Sequence, residues 1–169
     1  TGRSGFSGEF GHFSVFDNEI ICRCGKKGCL ETEVSGSALH RILCEKVKSG
    51  QSSILSKRIL TGETSVTLEE IVDATNKEDI LCIELVEEIG RKLGRYLAGL
   101  INLFNPELVV IGGTLALTED YILQPIKTAI RKYSLNLVSK DSAVVLSKLQ
   151  AKAGVIGACL LSRSKLFEW

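Results

Sequence analysis

The sequence predicts an α/β fold, or an α+β fold in which helices and strands are segregated. Two observations support this class. Amphipathic helical patterns alternate along the chain with two short β-branched segments, Leu108–Ile111 and Ala143–Leu146. The chain also has 169 residues, of which 44% are hydrophobic and 24% charged, as in ordinary globular proteins. This length predicts one domain, residues 1–169, with a core of its own.

Near the N-terminus, two short apolar runs predict a β-hairpin. The runs are Phe13–Phe16 and Glu19–Cys22, and the pair Asp17-Asn18 between them tolerates turn geometry. The next segment, Cys22–Cys29, predicts a tight loop, because its two glycines permit a positive φ.

Five helices are predicted after this loop. The longest spans Glu78–Phe104, since its apolar residues recur at a spacing of three or four, and Asn105-Pro106 ends it. The strand Leu108–Ile111 follows, and the pair Gly112-Gly113 comes directly after it. The other helices are expected from residue 38 to about 50, from 67 to about 75, from about 118 to 133, and from 154 to 162.

Charge and hydropathy exclude some classes of partner. The formal net charge is +1, from 21 basic and 20 acidic side chains, so this chain offers no basic surface for a phosphate backbone. No apolar run approaches the roughly 20 residues that span a bilayer, and the Gly-rich start does not resemble a signal peptide. We therefore expect a cytoplasmic protein without a membrane partner. The absence of any Met, including an initial one, suggests a fragment.

A cluster of metal-ligating residues lies in the N-terminal part of the chain. His12, Cys22, Cys24 and Cys29 supply one imidazole and three thiols, the ligands that zinc prefers in a tetrahedral site. Four protein ligands would make the zinc structural. The alternatives are three buried cysteines with a satisfied histidine, or a disulfide, which a reducing compartment disfavours. The remaining cysteines, Cys44, Cys82 and Cys159, are expected to be small core residues.

Two glutamates flank this cluster. Glu9 lies three residues before His12, and Glu31 lies two residues after Cys29. If the metal holds the loop ends together, both carboxylates should converge near the imidazole. Convergent carboxylates suit a polyhydroxylated ligand, because each can accept hydrogen bonds from two hydroxyls. The alternative for either glutamate alone is a solvated surface position.

These residues resemble a known signature. The segments GEFGH (residues 8–12) and CRCGKKGCLE (residues 22–31) are similar to the signature of the ROK family, which contains sugar kinases and sugar-responsive transcriptional repressors. NPELVVIGG (residues 105–113) and AGVIGA (residues 153–158) resemble later motifs of that family, so the resemblance covers essentially the whole chain. The fold it implies is the second lobe of a ribonuclease H-like, actin/hexokinase-type ATPase, with an inserted zinc loop.

The resemblance also implies roles for individual residues. Glu9, His12 and Glu31 match family residues that bind sugar hydroxyls, and the cysteine cluster with His12 matches the family's zinc ligands. Gly112 and Gly113 are candidates for packing against a nucleotide, although the pair is equally compatible with a tight turn. Family members assemble as homodimers or homotetramers, so a homo-oligomer is expected, with a monosaccharide or phosphosugar as the ligand.

Two functional classes remain after this comparison. The family's kinases carry an Asp-x-Gly-x-Thr phosphate loop and an Asn-Asp catalytic pair, and this chain has neither, so by itself it is expected to be inactive. Thr114 also replaces the third glycine that kinases often have. We therefore favour the effector domain of a transcriptional regulator, whose DNA contact would need a missing N-terminal domain. The alternative is the carboxyl half of an ATP- and Mg²⁺-dependent sugar kinase such as a glucokinase. A zinc-stabilised interaction domain without a sugar ligand is a third possibility.

Overall fold

The computed structural model describes residues 2–62, 65–149 and 152–167. Within these ranges the chain forms eight α-helices and two β-strands. In chain order they are α1 (Glu31–Val34), α2 (Gly36–Lys48), α3 (Ser56–Thr61), α4 (Leu68–Asn76), α5 (Ile80–Phe104), β1 (Leu108–Ile111), α6 (Asp120–Tyr133), α7 (Asn136–Asp141), β2 (Ala143–Leu146) and α8 (Ala153–Phe167). Two 3₁₀ turns, Phe10–His12 and Thr114–Thr118, complete the described secondary structure.

Helix α5 is the element around which the core forms. It packs along α6, and it also contacts α1, α2, α4 and α7. Its apolar stripe is continuous with buried side chains of the neighbouring helices, which bury large aliphatic groups against it. The fully buried members include Leu39, Leu43, Ile71, Val86, Ile89, Ile101, Ile122 and Ile126.

The two strands form a parallel pair. Leu108 aligns with Ala143 and Ile111 with Leu146, and the chain crosses from one strand to the other through α6 and α7. A parallel pair needs such a crossover, because its two strands run in the same direction. The predicted strands and the α/β class are therefore confirmed.

Helix boundaries differ slightly from the predictions for local reasons. The long helix begins at Ile80, because Glu78 has a φ of +64° and the Asp79 carboxylate caps the helix by accepting from the Cys82 N–H at 2.9 Å. Helix α6 begins at Asp120, because a 3₁₀ turn precedes it and Glu119 has a φ of +49°. The short helices α1, α3 and α7 were not predicted from the sequence. Cys82 is buried as expected, whereas Cys159 is exposed on α8, so its predicted core position is wrong.

The predicted hairpin between Phe13–Phe16 and Glu19–Cys22 is also wrong. Each run instead pairs with the cysteine loop, through antiparallel bridges from Ser14 to Cys29 and from Ile21 to Lys27. The cysteine loop folds back against both runs and takes the backbone groups that a hairpin would have used.

No helix in the described ranges is both long enough and apolar enough to cross a bilayer.

Candidate metal centre and adjacent carboxylates

The cysteine loop is as tight as the sequence predicts. The Gly25 N–H donates to the Cys22 carbonyl at 2.9 Å, and the Cys22 N–H donates to the Lys26 carbonyl at 2.8 Å. At the far end of the loop, Gly28 has a φ of +72°, and the Phe16 carbonyl oxygen occupies the space that a Cβ would need. Glycine at this position lets the chain reverse and brings the cysteine sulfurs to one side.

Four potential ligands meet at this loop. The ligand atoms of His12, Cys22, Cys24 and Cys29 all lie within 4.8 Å of one another. His12 Nδ1 lies 3.5 Å from Cys22 Sγ, and Cys24 Sγ lies 3.5 Å from Cys29 Sγ. In a tetrahedron with zinc-ligand distances of about 2.1 and 2.3 Å, neighbouring ligand atoms are about 3.5 to 3.8 Å apart. The two pairs at 3.5 Å match this spacing, and the bound of 4.8 Å on the remaining pairs leaves all four atoms close enough to surround one cation.

The electrostatics of the sulfurs support the same interpretation. Burial, together with the nearby sulfurs of Cys24 and Cys22, raises the pKa of Cys29 to about 11. The Lys26 backbone N–H lowers the pKa of Cys24, whose side chain is exposed. Three sulfurs this close repel one another as thiolates, and a cation between them removes that repulsion.

The imidazole of His12 connects the cluster to one of the flanking carboxylates. While Nδ1 faces the Cys22 sulfur, Nε2 lies 3.6 Å from the Glu9 carboxylate. His12 ends the 3₁₀ turn Phe10–His12, and its N–H donates to the Glu9 carbonyl at 3.1 Å. The turn thus holds Glu9 and His12 as neighbours.

The second flanking carboxylate reaches the same turn from α1. Helix α1 starts directly after the buried residues Cys29 and Leu30, and the Leu30 N–H donates to the Phe13 carbonyl at 2.9 Å. A Cβ built on Gly11 would lie 3.0 Å from Glu31 Oε2, so only a glycine leaves ordinary room for this carboxylate. Glu9 and Glu31 therefore both adjoin the turn that carries His12.

A groove of about 210 Å³ lies on the other side of Glu31. Its described lining includes Cys22, Arg23, Ser37 and Arg41, but neither Glu9 nor His12. The side chains of His12 and Glu9 are 38% and 58% exposed, and Glu31 is exposed as well, so all three are accessible from solvent.

Sequence reasoning missed the residues that fasten this region to α5. Lys92 forms an ion pair with Glu33 of α1, and the Tyr96 hydroxyl donates to the Val15 carbonyl at 3.0 Å. The Tyr96 ring also packs edge-on against Phe16. The available signal was a lysine and a tyrosine four residues apart on α5, which share one face of a helix.

Gly112 and Gly113 occupy a different part of the fold, at the carboxyl end of β1. Gly113 has a φ of +86° and precedes the 3₁₀ turn Thr114–Thr118. Ser147 follows β2 beside it, with its N–H donating to the Ile111 carbonyl at 2.8 Å. Ligands of open α/β sheets bind at such carboxyl edges, although the geometry alone also fits a structural turn.

Comparison with known proteins identifies the family. The ROK family model matches residues 1–165. The chain belongs to the ROK family. Among curated relatives of this ROK chain, a glucokinase of Thermotoga maritima is 31% identical over 98% of the chain and 52% of its own length. The DNA-binding transcriptional dual regulator NagC of Escherichia coli is 33% identical over 98% of the chain and 39% of its own length.

Solved structures of ROK proteins show the same two classes. A ROK family transcriptional regulator, a homologue of the Escherichia coli Mlc protein, superposes with a TM-score of 0.79 and 30% identity, covering 92% of this chain and 38% of that one. A ROK glucokinase of Streptomyces griseus, in complex with glucose and AMPPNP, also superposes with a TM-score of 0.79. The identity is 28%, and the match covers 94% of this chain and 52% of that one. The chain thus spans about half or less of these relatives, and the resemblance to the ROK family is confirmed.

Proposed function

We propose that this ROK chain is the sugar-binding, effector-recognising part of a transcriptional regulator, stabilised by one zinc ion. The observation that carries the proposal is the convergence of Glu9 and Glu31 on the turn of His12, whose ring also faces three cysteine sulfurs. Carboxylates next to an oriented imidazole are suited to recognise the hydroxyl pattern of a monosaccharide or a phosphosugar.

Zinc would be held by His12, Cys22, Cys24 and Cys29. One imidazole and three thiolates form a common structural zinc site, and four protein ligands leave no open position for water. The metal would therefore fix the loop without acting as a Lewis acid.

The imidazole and Glu9 would recognise the sugar together. If Nδ1, which faces the Cys22 sulfur, held the metal, the ring proton would reside on Nε2, which faces the Glu9 carboxylate. One sugar hydroxyl can then accept from Nε2 and donate to Glu9, while Glu31 accepts from another hydroxyl.

The second candidate is the carboxyl half of an ATP-dependent ROK sugar kinase. The similarity to the Thermotoga maritima glucokinase and the Gly112-Gly113 turn at the sheet edge favour it. ATP and Mg²⁺ would be cofactors only in this case. Thr114 directly after the glycines favours the regulator, because a β-branched residue restricts the backbone where a nucleotide would approach. In the regulator, DNA would be bound by a segment outside residues 1–169, and a homodimer or homotetramer is proposed for either class.

Calorimetric titration of the full-length gene product with glucose, N-acetylglucosamine and xylose tests the sugar site. We expect Glu31→Gln to raise Kd by about tenfold to a hundredfold, since a hydrogen bond to a charged group contributes about 1.5–3 kcal/mol. Glu84→Gln is the control, because Glu84 is an exposed glutamate of α5 outside the site. Equal affinities of the two variants would refute the role of Glu31, and no binding of any sugar would favour an interaction domain.

The regulator and kinase classes are separated by incubating the same gene product with ATP, Mg²⁺ and the sugar that binds. The regulator predicts no sugar phosphate and specific binding of operator DNA that the sugar alters. Formation of sugar phosphate at a rate that rises with enzyme concentration would establish the kinase.

A further inference from the structure

The orientation of Glu31 depends on an unusually short helix. Helix α1 comprises only Glu31–Val34, a single turn, and a turn of this length is not stable by its own hydrogen bonds. Residues i and i+2 of a helix do not share a face. Glu31 lies against Gly11, whereas Glu33 is directed to the opposite side, toward α2 and α5. Contacts of Glu33 therefore join the buried Thr32 in fixing how α1 presents Glu31.

Both carboxylate oxygens of Glu33 are engaged. Lys92 Nζ of α5 lies 2.8 Å from Oε2, and the Asn18 side-chain amide donates to Oε1 at 3.0 Å. The Arg41 guanidinium of α2 lies 3.7 Å from Oε1 and donates to the Thr32 carbonyl at 3.1 Å. One carboxylate thus connects α1 to two other helices and to the segment that leads to the cysteine loop.

The ion pair between Glu33 and Lys92 is less exposed than the ion pairs that α2 and α5 form within themselves. The Glu33 side chain is 14% exposed and that of Lys92 is 26% exposed, so solvent screens their attraction weakly. Burial alone would lower the pKa of Lys92, but its hydrogen bonds to Glu33 and Glu88 outweigh burial and raise that pKa. Lys92 therefore stays charged at neutral pH.

The same face of α5 also contacts the segment that leads to the cysteine loop. Tyr96, one turn after Lys92, donates to the Val15 carbonyl, and its ring packs on Phe16. Asn18 completes the link, since its side-chain oxygen accepts from the Ile20 N–H at 3.2 Å just before Cys22. Helix α5 thus contacts both the segment that leads to the cysteine loop and the helix that carries Glu31.

We infer that Glu33 and Lys92 are positioning residues that fix Glu31 relative to His12 and Glu9 and thereby set sugar affinity. The inference rests on the proposed sugar-binding function. Neither residue would contact the sugar. Their ion pair would hold the single turn of α1 in the orientation from which Glu31 reaches the sugar.

The test is a double-mutant cycle in the full-length gene product, using the sugar among glucose, N-acetylglucosamine and xylose that the unaltered protein binds most tightly. We expect Lys92→Met and Glu33→Gln each to raise Kd about tenfold, with zinc content unchanged. The double variant removes both charges, so it should regain much of the Tm lost in Lys92→Met, while its sugar affinity stays low. A purely structural ion pair would instead restore affinity together with Tm.

Glu88→Gln is the matched control. Glu88 also pairs with Lys92, at 2.9 Å, but this ion pair lies within α5 and does not link α5 to α1. We expect this variant to bind the sugar within twofold of the unaltered protein. Unchanged affinity in the Glu33 and Lys92 variants, or equal losses in Glu88→Gln, would overturn the positioning role alone. Failure of the unaltered protein to bind any of the three sugars would instead overturn the proposed function and, with it, this inference.

Discussion

Replacing Gly94 with alanine perturbs the closest approach between α5 and α6. A Cβ built on Gly94 lies 2.5 Å from the Ile126 carbonyl oxygen and 2.8 Å from the Ala129 Cβ. The first neighbour is a backbone atom, and the second belongs to alanine, whose side chain has no rotamers. Neither can relieve the clash by a side-chain rotation. Gly90, one turn earlier, faces α6 in the same way, with its built Cβ 2.9 Å from the Ile122 carbonyl oxygen. The pair of glycines lets the two helices pack closely.

The size of the effect follows from these distances. Ordinary contact begins near 3.4 Å, so the Ile126 oxygen is about 0.9 Å too close and α6 must move away. A gap of roughly 0.5–1 Å forfeits a quarter to a half of the dispersion attraction across an interface. Overpacking of this kind costs about 1–3 kcal/mol, and we take the upper end because backbone is involved. Alanine recovers about 1 kcal/mol of helix propensity, which leaves a net loss of about 2 kcal/mol.

The matched control lies on the same helix. Gly99 of α5 is exposed, and no atom outside its own helix lies within 4 Å of a Cβ built there. Gly99→Ala should therefore stabilise the protein by up to about 1 kcal/mol. Thermal unfolding followed by circular dichroism should show Tm about 4–8 °C lower for Gly94→Ala and about 2–4 °C higher for Gly99→Ala, given the chain length.

The comparison removes the effect of alanine on the unfolded chain, since both variants make the same substitution. Gly90→Ala should fall between the other two, because its closest contacts are longer than those of Gly94. If Gly94→Ala proves as stable as Gly99→Ala, α5 and α6 do not pack as closely as described, and the reasoning is refuted.

Two further predictions concern the metal cluster and the start of α5. Cys24→Ser should lose the zinc measured by elemental analysis and about 3 kcal/mol of stability, the mass-action effect of a tightly bound ion, whereas Cys159→Ser on α8 should keep both. Asp79→Asn should lose about 2 kcal/mol at pH 7. The buried Asp79 carboxylate accepts from the N–H groups of Ile54 at 2.7 Å and Cys82 at 2.9 Å, and an asparagine has only one oxygen to accept from the two. Burial would raise the pKa of Asp79, but the N–H groups of Ile54 and Cys82 lower it overall, so this stability difference should persist above about pH 5 and shrink as pH falls below about 4.

Each of these has a clear contrary outcome. Unchanged zinc content and Tm in Cys24→Ser would refute the proposal that a structural zinc ion is bound through Cys24. A difference between wild type and Asp79→Asn that is constant from pH 7 to pH 3 would show that the Asp79 charge does not contribute to stability, and that only the shape of its side chain matters.

The long periodic elements of the fold could be predicted from the sequence because local rules decide them. The stripe of α5 and the two β-branched strands were recognisable, since burial on one face imposes a repeat. The single-turn helix α1 carries no such repeat, and it is stabilised by contacts with Arg41 of the next helix and with Lys92, 59 residues after Glu33. The hairpin prediction failed for a related reason. The prediction paired the two apolar runs with each other. In the structure, the cysteine loop between residues 22 and 29 pairs with the backbone groups of both runs.

In the candidate site too, some features could be predicted from the sequence and others could not. The grouping of His12 with the three cysteines was predictable, because these residue types at this spacing have few uses apart from a metal. The attachment of the loop to α5 was not, because a lysine and a tyrosine on a helix surface ordinarily point to solvent. Only the folded structure shows that Lys92 contacts α1 and that Tyr96 contacts the segment before the cysteine loop.

The proposed site would allow one segment to bind sugar in both kinases and regulators. The proposed ligands of sugar and metal all lie between Glu9 and Glu31, and they need only a fixed helix behind them, which α5 provides through Lys92 and Tyr96. Phosphoryl transfer needs other parts, a phosphate cradle and a base, which belong to different segments of the fold. A ROK protein can therefore lose or gain those parts without altering the residues that would bind the sugar, consistent with a regulator and a glucokinase superposing equally well on this chain. Sugar affinity accordingly tests the segment itself, whichever class the full-length protein belongs to.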